Sequence, residues 1–389
     1  MKPILKVLVL SSLLIAAIAG CSNVTMDHSR MDHSNMGKNS MDNRSVPVVD
    51  SDGTKVINIE AKETHWMFND DIMDMIWTYN GTLPGQETRV NEGDNVRIIL
   101  RNSLDVPTAL HLHGLPITNE MDGVPGVTQN PILPGEEYVY EFVANTPGTY
   151  GYHSHQNSAE QVGKGLYGAL IVVPKDQNEV TLDQMIIIDE WSSMGIDMSG
   201  MDHGNMDHGG HGNVPHAEQM SEMYDTMIIN GKAAPVIESV SVTEGDTVKL
   251  RFLNSGLFTQ VISIPGHSFK ITHYDGQEVN EPELLSNVSI RIAPAERYDV
   301  EIIMDQPGAW GIQVFAEGNK DNLHALIPLV YNGFDSINLK TIDSIQSYFE
   351  MTTYGKPKNI QIGDVTRAYQ MVLGTNDGGE TFTINNKNM

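Results

Sequence analysis

The hydrophobic positions fall in short runs rather than long helical stripes. "TKVINIEAKET" (54–64), "TRVNEGDNVRIILRNS" (88–103), "EEYVYEFVAN" (136–145) and "YGALIVVP" (167–174) are rich in β-branched and aromatic residues and are separated by Gly, Pro, Asn and Asp. Such runs predict strands whose side chains alternate between a core face and an outer face. The N-terminus reads differently. Lys2 and Lys6 precede "VLVLSSLLIAAIAGC", an apolar run too short for a comfortable membrane span that ends in small residues, the pattern of an export signal. Residues 22–50 are rich in Met, Asp, His, Ser and Asn, cannot bury enough apolar surface to fold, and are expected to form a disordered tether.

The strand pattern repeats. "NEGDNVRIILRNS" (91–103) returns as "TEGDTVKLRFLNS" (243–255), and "YNGTLPG" (79–85) returns as "INGKAAP" (229–235). "ILPGEEYVYEFVANTPGTYGYHSH" (132–155) matches "IAPAERYDVEIIMDQPGAWGIQVF" (292–315) in turn residues and alternation. The expected fold is all-β: tandem Greek-key β-sandwich domains, two complete and the start of a third. The boundaries read as 1–21 for the signal, 22–50 for the tether, 51–175 and 176–335 for the two sandwiches, and 336–389 for a linker and the opening of a third. That last segment ends on "TINNK", similar to the "INGK" of the second copy, and is expected to be a truncated domain that cannot close its sandwich.

Composition narrows the partners. With 50 acidic against 24 basic residues the formal charge is −26, which leaves no basic surface for nucleic acid. Cys21 is the single cysteine, so no disulfide is expected and no thiolate is available in the body of the chain. "IAGC" resembles the lipobox of bacterial lipoproteins, which implies a mature chain starting at a lipidated Cys21 and held on the extracytoplasmic face of a membrane. The alternatives are an ordinary secretory cleavage or a buried thiol.

Two segments carry the candidate chemistry, "HLHG" (111–114) and "YHSH" (152–155). In a strand the period of two puts His111 and His113 on one face and His153 and His155 on one face, with Leu112 and Ser154 turned the other way. Four imidazoles in one space suit copper, zinc, iron or nickel rather than calcium or magnesium. Ser154 stands where a cysteine could have served, so no blue copper site is expected in this domain. The second copy has "VISIP" (261–265) and "IQVF" (312–315) in the corresponding places, so copy one is expected to bind and copy two to support it. His65, His267, His273 and His324 are isolated and read as structural.

Together with "GLYGALIV" (165–172), "MDGVPGVTQNPILPGE" (121–136) and "APAERYDV" (293–300), these motifs resemble the multicopper oxidases, in particular the bacterial three-domain, laccase-like or copper-tolerance type, with cupredoxin-like domains. The resemblance covers roughly residues 56–389. It implies copper as cofactor, His111 as a type 2 copper ligand, and His113, His153 and His155 as type 3 ligands. It implies that Asp122 assists proton delivery during oxygen reduction, although "MDGVPG" also suits a simple turn. The family's blue copper (type 1) site and its other cluster ligands belong to a third domain, and no "HCH" occurs in this sequence.

The unit Met-Asp-His recurs at 26–28, 31–33, 201–203 and 206–208, in tracts with no periodicity that would bury methionine. Soft thioethers favour Cu(I) and imidazole serves both copper oxidation states, so Met26, His28, Met31, His33, Met201, His203, Met206, His208 and His211 are candidate auxiliary copper ligands. The other reading is a solvated tether (22–50) and loop (200–220). Two functions are therefore expected. One is an exported multicopper oxidase that in intact form oxidises Cu(I) or phenolic reductants and reduces dioxygen to water, in the service of copper tolerance. The other is a non-enzymatic copper-sequestering lipoprotein.

Overall fold

A computed structural model of the chain describes residues 43–176, 180–192, 224–319, 323–358, 367–376, 381–385 and 387–388. The expected export signal, Cys21 and every candidate auxiliary ligand of the two Met-Asp-His tracts lie outside these residues. Among the described residues no helix is long and apolar enough to cross a membrane.

The chain folds as tandem β-sandwiches. In the first, one sheet runs in the order Arg44–Ser45, Gly85–Asn91, Tyr167–Val173, Gly148–His153, His111–His113. The other runs Val48–Val49, Lys55–Met67, Asn95–Asn102, Glu137–Val143, with Met73–Tyr79 paired to Lys55–Met67. The second sandwich repeats this order. His324–Tyr331, Ala309–Ala316 and Gln260–Ser263 are neighbours in one sheet, and Leu182–Trp191, Thr247–Asn254 and Arg297–Ile303 in the other. The alternation does what the sequence predicts: along Asn95–Asn102 the buried positions are Val96, Ile98, Leu100 and Asn102.

The internal repeat extends to buried polar detail. Asn102 donates to Val106 O at 2.8 Å and Ile132 O at 2.9 Å and accepts from Leu104 N at 3.0 Å. Asn254 donates to Phe258 O at 2.8 Å and Ile292 O at 2.9 Å and accepts from Gly256 N at 2.9 Å. Each amide thus closes the same loop end in its own copy, meeting the requirement that a buried polar group be paired.

The two sandwiches share a buried seam. Apolar residues of copy one, among them Phe68, Ile76 and Ile171, pack with Met185, Trp191 and Leu253 of the second. Beside it lies an ionic network. Arg251 holds Asp183 through Nε at 2.7 Å and Nη2 at 2.8 Å and Asp299 through Nη1 at 2.6 Å, while Arg89 of copy one reaches Asp183 at 2.9 Å. Thr149 of copy one donates to Asp299 at 2.6 Å.

Two smaller elements complete the described chain. A short helix, Ser158–Gly163, follows the second histidine pair, entered through Asn157 in the left-handed region at φ 47. Near the C-terminal end, Leu373–Asn376, Thr381–Ile384 and Lys387–Asn388 pair with one another as a small antiparallel sheet.

Candidate metal centre

The His111–His113 strand sits at the edge of its sheet and pairs antiparallel with Gly148–His153, which sets His111 opposite His153 and His113 opposite Gly151. The register brings the two sequence motifs to one corner. Leu112 and Ser154 turn inward and are fully buried, as the period of two requires. Ser154 donates to Gln161 Oε1 at 2.5 Å, and Gln161 also accepts from Thr108 at 2.8 Å. Its hydroxyl is therefore committed to the short helix, away from the imidazoles.

One ligand atom each from His111, His113 and His153 lies within 4.8 Å of the others, a partial three-histidine metal-binding cluster. His155 stands just past the end of its strand rather than within it, with its ring 5.3 Å from that of His111 and 6.2 Å from that of His153. The four expected histidines are thus gathered at one corner, three of them as a tight group.

The tautomers follow from the partners. His111 donates Nδ1–H to Asp122 O at 2.5 Å and His153 donates Nδ1–H to Ser154 O at 2.9 Å, so in both Nε2 is the unprotonated nitrogen. Backbone acceptors of this kind fix the ring of a metal-binding histidine and raise its basicity. Nε2 of His153 faces Nδ1 of His113 at 3.3 Å. Two nitrogens held at ~2.0–2.1 Å from one tetrahedral ion lie about 3.3 Å apart. The spacing fits a shared metal.

Electrostatics keep the site ready for a cation. Burial, the nearby Arg297 guanidinium and the other imidazoles lower the pKa of His113 to about 3. Burial lowers that of His153 to about 4, with charge on His111 and His155 acting in the same direction. Both rings are neutral at ordinary pH, the form a metal needs. Neutral imidazole with no carboxylate in the group suits copper among the candidates of the sequence reading.

Asp122 sits directly beside the cluster. Its carbonyl holds His111, and its carboxylate, 39% exposed, comes within 3.6 Å of His111 Nδ1. The loop is pressed onto the strand at Gly123, φ +78, where an added Cβ would meet Leu110 O at 1.8 Å. The turn reading and the proton reading of Asp122 are therefore compatible.

Copy two contributes a residue that sequence reasoning passed over. Arg297, buried within "APAERYDV", donates Nε–H to Thr149 O at 3.2 Å and pairs with Asp275 at 3.0 Å. A Cβ added to Gly114 would meet its Nη2 at 2.3 Å, so the glycine of "HLHG" makes room for it. Both motifs were visible in the sequence, but not the contact between them.

A mostly apolar cavity of about 330 Å³ opens beside His113 and His153, walled by the short helix and by Leu253 and Leu257 of copy two. Asp189 and Glu190 line it. Burial raises both carboxyls, so the pair retains protons where exposed acids have lost theirs.

Two of the other histidines have defined partners outside the cluster. His267 is buried with Nδ1 on Pro265 O at 2.9 Å and Nε2 on the Tyr331 hydroxyl at 2.7 Å, and His273 lies 3.6 Å from Asp299.

Comparison with known proteins agrees with this architecture. Copper resistance protein A of Pseudomonas syringae pv. tomato is 33% identical over 273 residues, covering 61% of this chain and 44% of that protein. Multicopper oxidase MmcO of Mycobacterium tuberculosis is 30% identical over 269 residues, covering 64% and 52%. The chain thus spans about half the length of these relatives. Among solved structures, blue copper oxidase from Nitrosomonas europaea aligns with a TM-score of 0.60 at 28% identity, over 71% of this chain and 85% of that one. Multicopper oxidase mgLAC aligns with a TM-score of 0.61 at 29% identity, over 74% and 88%. Family models described as multicopper oxidase match residues 60–177 and 205–333, which take in the histidine corner, the arginine that props it and the repeated sandwich: the chain belongs to the multicopper oxidase family.

Proposed function

We propose that the histidine corner is one half of an oxygen-reducing copper centre, with His111 on the type 2 side and His113, His153 and His155 on the type 3 side. Copper held there would supply one-electron chemistry and a place for dioxygen to bind. The observation that carries this reading is the convergence of His111, His113 and His153, with Nε2 of two rings left unprotonated by backbone acceptors on Nδ1. The protein's own part is positional. Asp122 fixes the His111 ring through its carbonyl and offers a solvent-reaching carboxylate to carry protons inward. Arg297 and the seam between the copies hold the corner rigid.

The activity of the whole assembly is oxidation of Cu(I) or a phenolic reductant coupled to reduction of dioxygen to water. Electron entry at a blue copper needs a thiolate, and the one cysteine in these 389 residues is Cys21, which belongs to the export signal on our reading. That observation favours a second reading for the chain acting alone: a copper-binding protein, exported and anchored through Cys21, in which the four histidines and the Met-Asp-His tracts capture or pass on copper.

Copper-loaded protein tests both readings, by optical spectrum and by oxygen uptake with Cu(I) and with a phenol. The chain alone is expected to retain copper, show no blue thiolate band and consume no oxygen catalytically. Sustained turnover by the chain alone would overturn the assignment of electron entry to residues outside it, and failure to retain copper would overturn the centre itself.

A further inference from the structure

The hairpin of Lys55–Met67 and Met73–Tyr79 belongs to the sheet that does not carry the histidine corner. Its register sets His65 opposite Met75 and Met67 opposite Met73. Hydrogen bonds at both ends define which pairs are close. Phe68 N donates to Ile72 O at 2.9 Å, and Asn80 N donates to Glu60 O at 2.8 Å. Pairs in an antiparallel ladder alternate between hydrogen-bonded and non-hydrogen-bonded. Counting inward from either end, His65/Met75 and Met67/Met73 are both non-hydrogen-bonded, the kind with Cα atoms about 4.5 Å apart and side chains nearest.

Residues two apart share a face, so His65, Met67, Met73 and Met75 make a two-by-two patch. The opposite face is the one turned to protein, where Trp66 donates to Gly231 O at 2.7 Å and the Thr64 and Thr78 hydroxyls meet at 2.7 Å. Met73 and Met75 are 50% and 45% exposed, and His65 is exposed as well. Methionine is ordinarily spent filling cores, and here three come together with an imidazole at an accessible surface.

We propose that this patch is a separate binding site for one Cu(I) ion, held by three thioethers and the His65 imidazole. Thioether sulfur selects soft cuprous ion over harder divalent metals, and imidazole completes the set without adding charge. Asp70 and Asp71 in the connecting turn and the chain's formal charge of −26 favour the approach of a cation. The site carries copper as cargo and does not depend on the four histidines of the other sheet.

The test is a titration of the full chain, labelled at its methionine methyls, with Ag(I) as a redox-inert stand-in for Cu(I), followed by NMR. The methyls of Met67, Met73 and Met75 are expected to shift together with the His65 ring. In the Met73→Leu/Met75→Leu variant these shifts are lost, and the chain holds about one fewer Cu(I) ion in competition with a cuprous chelator. Leucine preserves volume at these exposed positions, so an unchanged melting profile is expected alongside. Methyls that stay still while the Met-Asp-His tracts saturate would overturn the proposal without reference to any variant. So would a double variant with the parent's stoichiometry.

Discussion

Two corners of this molecule are built alike and carry different side chains. In copy one the pairing of His111–His113 with Gly148–His153 sets His111 opposite His153; in copy two the pairing of Gln260–Ser263 with Ala309–Ala316 sets Ser263 opposite Gln313. The frames agree in strand order and in the asparagine that ties the neighbouring loop. What differs is the use made of the corner. Ser263 meets the Ser289 hydroxyl at 2.7 Å, and Gln313 accepts from Ile342 N at 2.8 Å and donates to Ile342 O at 3.3 Å. Copy two therefore spends the corner on fastening the segment that follows it, while copy one leaves ring nitrogens unspent. The sandwich supplies geometry, and a few side chains decide whether it becomes a metal centre.

The division of labour breaks most severely at the seam. Burial by itself would raise the pKa of Asp183, but hydrogen bonds and charge from Arg251 and Arg89 outweigh it and hold the carboxylate well below its ordinary range. An acid depressed in this way stabilises the folded state above its unfolded pKa, and that contribution is lost as pH falls below it toward the folded value. Asp183→Asn, which leaves Arg251 and Arg89 with a neutral partner, is expected to cost about 3–5 kcal/mol at neutral pH and to flatten the acid limb of the stability profile. Urea unfolding across pH measures both. An unchanged acid limb would assign the network no part in joining the copies.

Exchanging the corners sharpens the same contrast. His111→Ser with His153→Gln gives copy one the residues of copy two and should weaken copper binding by more than about 100-fold, since loss of an outer-shell partner alone costs ~10–100-fold. The reverse exchange, Ser263→His with Gln313→His, is expected to create no comparable site. It supplies two rings only, and Pro265 follows where copy one has His113. Competition titration against a copper chelator reads both exchanges, and tight binding in the reverse variant would show that two rings on this frame suffice for a site.

Much of this was legible in the sequence because strands report themselves locally. The period of two predicted that His111 and His113 share a face with Leu112 buried, and the repeated "EGD" and "NG" turns revealed the second copy. Contacts between distant segments were not legible. Nothing in "APAERYDV" says that Arg297 reaches Gly114, because that contact depends on how two sandwiches dock. The helix Ser158–Gly163 is too short to impose a helical period, and its buried Gln161 serves Ser154 and Thr108 rather than an apolar core. His155 was read as strand, yet the chain leaves the ladder after His153. His65 looked solitary because its methionine neighbours depend on a register that only the length of the connecting turn determines.

The paired asparagines offer the finest test. Asn102 and Asn254 make matching hydrogen bonds in fully buried positions, so replacing either with alanine removes a donor from two carbonyls and the acceptor of one amide. Each substitution should cost about 1–3 kcal/mol, and by similar amounts, because the local geometry is the same. Their effects on copper should diverge. Asn102 anchors Val106 and Ile132, and Ile132 pairs with Thr108 at the start of the segment that delivers His111, so loosening it lets the ligand strand drift. Asn254 performs the same service for a corner built from Ser263 and Gln313 instead of a histidine pair. Urea unfolding of both variants, read beside copper competition, should therefore show matched stability losses with weakened copper only for Asn102→Ala. An equal loss of copper in Asn254→Ala would mean that the two copies act as one elastic body rather than as a site and its support.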